Sequence, residues 1–96
     1  YIKIVPHNPL GPVSAAACVH LDIACDNFAV QEGGLIGRTV MEDVFPVQLP
    51  YESGCILPPE LPGLGIEFND EAAEQYEFEW LGGPILRRED GSFTNW

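Results

Sequence analysis

Two side chains able to trade a proton stand near the start of the sequence. His7 lies in VPHNPLGP, and Glu32 closes the stretch FAVQE. An imidazole titrates near neutrality, so it can take or return a proton. A carboxyl in a partly dry pocket can hydrogen-bond a developing enolate if it keeps its proton. The two residue types together suit enolate chemistry. Their spacing alone fits a structural histidine–glutamate contact equally well.

The elements that must bring them together are legible in the first third of the chain. IKIV, 2–5, reads as a short strand. PHNPLGP, with three prolines and a glycine, cannot form a regular ladder and reads as a turn. Gly11 is a permissible cap, and Pro12 suits the first position of a helix. VSAAACVHLDIAC, 13–25, reads as a helix whose small alanines allow close packing on a sheet. Asp26-Asn27 ends it, and FAVQE, 28–32, reads as a second strand. Strand, helix, strand is a βαβ unit with parallel strands. Chemistry collects at the carboxyl ends of such strands. His7 and Glu32 both fall there, on strands expected about 4.8 Å apart if they are neighbours.

Beyond Gly33 the pattern changes. GGLIGRTVMEDVFPVQLPYESGCILPPELPGLG is rich in Gly and Pro and reads as a long irregular segment with at most short strands. A loop of that length suits a tail wrapping over another body. NDEAAEQYEF, 69–78, reads as a short helix capped by Asn69 or Asp70. ILRREDGSFTNW carries a hairpin signal, with Asp90-Gly91 supplying two residues of positive φ for a tight turn.

Composition bounds the function. The chain has 96 residues, 46% of them hydrophobic, and a formal net charge of −11. That charge argues against nucleic acid and against an anionic membrane surface. No apolar run approaches the roughly 20 residues of a spanning helix. The start, YIKIVP, has the form of neither a signal peptide nor a fresh initiation, so a fragment or processed chain is expected. Cys18, Cys25 and Cys55 lack metal-ligand spacing and read as structural residues, Cys18 and Cys25 as small core residues on one helix face. They suit a reducing, cytoplasmic setting. His20 reads as helix surface, Trp80 and Trp96 as packing anchors, and Arg87 and Arg88 as partners for nearby acids. GGLIG, 33–37, lacks the lysine of a phosphate loop.

PHNPLGPVSAAACVHLDIACDNFAVQE resembles the region between the seventh and eighth strands of the enolase superfamily, in its mandelate racemase branch. Within that branch it is most similar to the galactonate-type sugar-acid dehydratases. The specific elements are P-H-x-P-L-G-P and, some twenty-five residues later, a strand ending in Gln-Glu. LPGLGIEFNDEAA and LRREDGSFTNW resemble the C-terminal segment of the same family. The similarity covers essentially the whole chain, but only the last quarter or so of such an enzyme.

The resemblance implies an α/β fold: residues 1–32 as the last βαβ portion of a (β/α)₈ barrel. Residues 33–96 would be a tail returning to an α+β capping domain and ending in a hairpin over 85–96. It implies a lyase, a dehydratase of sugar acids, with Mg²⁺ as cofactor. His7 matches the base that removes the proton α to the substrate carboxylate. Glu32 matches the acid that hydrogen-bonds that carboxylate as it becomes an enediolate. The metal ligands, the leaving-group acid and the aspartate that partners the histidine belong to strands absent from this sequence. Alone the chain is expected to be inactive, its partners being the sugar acid, the rest of the barrel and capping domain, and further copies in a homo-oligomer. The alternatives are a racemase or cycloisomerase of the same superfamily, and a non-catalytic acidic scaffold or binding fragment.

Overall fold

The computed structural model describes residues 2–33, 40–80 and 86–94. The first helix, α1, spans Pro12–Ala24. Pro12 begins it because its missing N–H costs nothing in the first turn. Gly11 is the N-cap, in extended conformation and without a side-chain cap. Ala15, Ala16, Val19 and Asp22 form the buried face, following helical spacing. Cys25 leaves the helix in extended conformation, its N–H donating to the Asp22 carbonyl at 3.3 Å.

The chain before α1 and the chain after it meet in parallel, Ile4 opposite Phe28. Ile4 N–H donates to the Asn27 carbonyl and Ala29 N–H to the Ile4 carbonyl, both at 3.0 Å. The Asn27 amide nitrogen adds a bond to the Ile2 carbonyl at 2.9 Å. The expected strands IKIV and FAVQE are thus reduced to a single bridge, yet their neighbourhood and direction are those of a βαβ unit.

The tail is organised around Val44, which is buried. Phe45 N–H and Val44 N–H both donate to the Met41 carbonyl, and Asn69 N–H donates to the Val44 carbonyl at 2.8 Å. Phe45 and Phe68 pack with centroids 5.4 Å apart, an aromatic spacing worth about 1 kcal/mol. Val47 and Glu67 form an antiparallel bridge. Between them β1, Tyr51–Glu52, and β2, Cys55–Ile56, make a hairpin. These two-residue strands fit the expectation of an irregular 33–65 segment with at most short strands. The signal of the hairpin is Ser53-Gly54, whose φ values of 51° and 86° are those of a tight reversing turn.

Helix α2 covers only Asp70–Ala73, with Asn69 Oδ1 accepting the Ala72 N–H. The longer helix expected over 69–78 is absent because no residue of it is buried against a partner. β3, Leu86–Arg87, pairs with β4, Phe93–Thr94. Its turn corrects the expectation at Asp90-Gly91. Only Gly91 has positive φ, at 81°. Asp90 instead accepts bonds from the Ser92 N–H and Oγ–H at 2.9 and 2.6 Å, and Gly91 closes a longer loop.

Other expectations are corrected too. Arg87 donates to the Gly91 carbonyl and lies 4.1 Å from the Phe93 ring centroid rather than pairing with an acid. Trp80 is 81% exposed and anchors nothing here. Cys18 and Cys25 are half-buried and Cys55 is exposed, so none is a core residue. His20 is exposed, as a helix-surface residue should be. Trp96 and residues 34–37 of GGLIG lie outside the described residues.

The radius of gyration is 16.9 Å, against about 12 Å for a compact domain of this length. Ile2, Val5, Ile23 and Val30, on the βαβ segment, are all exposed. Among the described residues, nothing covers these apolar side chains of the βαβ segment.

Candidate functional site

The parallel contact sets both site residues at one end of the βαβ segment. His7 follows the first extended stretch and Glu32 ends the second. His7 Nδ1 contacts Glu32 Oε2. The same oxygen accepts the Asn8 backbone N–H at 2.8 Å. On the other side of His7, the Pro6 carbonyl accepts the Gln31 side-chain N–H at 3.2 Å. The two residues flanking His7 are therefore tied to the two residues that end the second stretch.

This arrangement has chemical consequences. A carboxyl oxygen accepting at Nδ1 favours the tautomer with its proton there, which leaves the Nε2 lone pair free to accept one. Neither His7 Nε2 nor Glu32 Oε1 has a partner among the described residues. Both face outward, His7 being 76% and Glu32 46% exposed at the side chain. The walls that would dry the site are not among these residues. A cavity of about 430 Å³ lies nearby, between α1, the second stretch and the β1–β2 hairpin. Gln31 and Asp22 line it, but neither His7 nor Glu32 does. Burial raises the Asp22 pKa above the ordinary carboxylate range.

Two members of this constellation escape a reading by residue type alone. Asn8 is 2% exposed, the largest fully buried side chain described. Its signal is an asparagine between prolines, a residue that folds its side chain onto the backbone two positions on. Gln31 was visible only as the residue before Glu32.

The Mg²⁺ implied by the resemblance does not fit this chain's own residues. Among those described, no group of three or more His, Cys, Asp or Glu side chains could hold a metal ion.

Residues 1–73 match a family model described as enolase C-terminal domain-like. The chain belongs to that family. The likeness read from PHNPLGP and the Gln-Glu strand end is thereby borne out. Within the enolase family, a D-galactonate dehydratase family member from Streptomyces bingchenggensis is 38% identical over 99% of this chain and 23% of its own length. A D-mannonate dehydratase from Caulobacter sp. is 38% identical over 91% of the chain and 21% of its own. A D-galactonate dehydratase from Verminephrobacter eiseniae is 34% identical over 99% and 27%. A mandelate racemase/muconate lactonizing enzyme structure from Jannaschia sp. superposes with a TM-score of 0.69 at 32% identity. It covers 83% of this chain and 20% of that one. This enolase-family chain thus spans about a quarter or less of the relatives' length. No helix among its described residues is long and apolar enough to cross a membrane.

Proposed function

We propose that the chain is the C-terminal part of a Mg²⁺-dependent sugar-acid dehydratase acting on an aldonic acid such as D-galactonate or D-mannonate. The observation that supports this best is the meeting of His7 and Glu32 across the parallel contact, in a chain whose relatives bear dehydratase names. His7 Nε2 takes the proton on the carbon α to the substrate carboxylate. Glu32, its Oε2 accepting the Asn8 N–H, acts in the form that carries a proton on Oε1 and donates that proton as a hydrogen bond to the substrate carboxylate as it gains enediolate charge. The β-hydroxyl then departs as water, taking a proton from an acid outside this chain, and the enol product becomes a 2-keto-3-deoxy acid. The metal and its ligands are likewise assigned to the rest of the enzyme, and these residues make their contribution without touching it.

The Ile4–Phe28 contact around α1 supports placing 1–32 as the seventh strand, helix and eighth strand of a (β/α)₈ barrel. Residues 33–96 form the tail toward an α+β capping domain. Uncovered Ile2, Val5, Ile23 and Val30 support packing by the remaining barrel. Three free cysteines suit the cytoplasm, and further copies complete a homo-oligomer. The test is incubation of the intact protein and Mg²⁺ with a panel of aldonic acids. Formation of a 2-keto-3-deoxy acid supports dehydration. The Jannaschia structure's name favours one second reading, racemisation or cycloisomerisation. That would appear as substrate consumed with no water lost.

A further inference from the structure

Glu32 presents a difficulty that His7 alone does not resolve. Its side chain is nearly half exposed, so nothing about its own packing holds the carboxylate at one rotamer. Precise placement matters, because a displacement of about 1 Å in a reacting group costs about a hundredfold in rate. The group that fixes its Oε2 is a backbone N–H, that of Asn8, in a turn flanked by prolines.

That turn is itself pinned from below. The Asn8 side chain points into the molecule, and its Oδ1 accepts two bonds: the Ser14 hydroxyl at 2.8 Å and the Leu10 N–H at 3.3 Å. A buried amide of this kind needs such partners, and losing them leaves a costly unsatisfied group. Ser14 lies in the first turn of α1, beside Pro12 and on rigid helical backbone. The side-chain bonds fix the Asn8 residue, and so aim its N–H at Glu32.

We propose that Asn8 and Ser14 are positioning residues, a brace running from the first turn of α1 through the Asn8 side chain to its backbone N–H and so to the Glu32 carboxyl group. The brace holds Oε2 on the Asn8 N–H and leaves Oε1 directed to the substrate. This role rests on the dehydratase reading for its kinetic consequence, but not for its geometry. Gln31 works in parallel on the Pro6 side of His7.

Ser14 is the residue to change, since truncating buried Asn8 endangers the fold. In the intact protein, Ser14→Ala is expected to lower kcat on the aldonic acid about tenfold with KM within about twofold. The Asn8 amide should exchange with solvent about tenfold faster by NMR. Ser14→Thr, which keeps the hydroxyl, should restore both to within about twofold. In a Glu32→Gln background, Ser14→Ala should produce no further loss of kcat, because it acts through Glu32. Unchanged Asn8 exchange in Ser14→Ala overturns the brace. So does a kcat loss that recurs at full size in the Glu32→Gln background. If the intact protein dehydrates no sugar acid, the dehydratase reading fails, and Asn8 exchange still decides the brace.

Discussion

Gly65 is the position where a single methyl group should do most harm. It is buried and has φ of +73°, a conformation that costs an alanine about 1–2 kcal/mol. A Cβ there would stand 2.0 Å from Pro59 Cβ, 2.7 Å from its Cγ and 3.4 Å from its Cα. Those atoms belong to a ring closed on the backbone, so they cannot swing aside and the 59–65 loop must shift. Overpacking of that kind costs about 1–3 kcal/mol. Gly65→Ala should therefore destabilise by about 2–5 kcal/mol. Gly63 provides the control: its φ is +68°, but a Cβ there meets nothing within 4 Å. Gly63→Ala should lose only the backbone part, about 1–2 kcal/mol. Urea unfolding of the intact protein reads both, as a lower midpoint at unchanged slope. Equal losses in the two variants would show that the Pro59 contact is not what demands glycine.

Three further outcomes are expected. Asp22 is 7% exposed, and its Oδ1 has no partner among the described residues. Its pKa is raised from 3.8 by burial, so its favourable contribution exists below that value and is lost as pH rises through the raised one. Asp22→Asn should accordingly stabilise at neutral pH and make no difference at low pH, in thermal melts across a pH series. Tyr76 donates its hydroxyl to Asp43 at 2.7 Å, holding the Asp43 pKa below 3.8. That contribution is present above 3.8 and fades as pH falls through the lowered value, so Tyr76→Phe should flatten this part of the acid limb of stability. Ser92→Ala removes the hydroxyl donor to Asp90 and should leave the turn formed, through the Ser92 N–H and Gly91. NMR of the β3–β4 amides checks that directly.

What the sequence made legible follows from how local each signal is. Pro12 and the alanine-rich run locate α1 because helix starts and helical faces depend on neighbours in the chain. The parallel approach of Ile4 and Phe28 followed from the βαβ pattern, though the extent of pairing did not, since strands form only against other strands. The left-handed pair Ser53-Gly54 is a short-range turn signal, but it does not say how far the residues on either side pair. α2 stopped after one turn because the acids of 69–78 have no apolar face to bury, a tertiary fact. At the site, His7 and Glu32 stood out by type. Asn8 did not, because its importance lies in a backbone N–H and in burial, neither of which residue type reveals. Trp80 illustrates the opposite case: a large aromatic suggests packing, but among the described residues it is left 81% exposed.

The most direct test of proton abstraction by His7 is the dehydration rate of the intact protein with Mg²⁺, compared with that of His7→Asn. His7→Asn removes the base while keeping a side chain of similar reach. The expected result is a 2-keto-3-deoxy acid from D-galactonate or D-mannonate, formed at least about a thousandfold more slowly by His7→Asn. An active protein whose His7→Asn variant keeps its rate would contradict the assignment of His7 as the base.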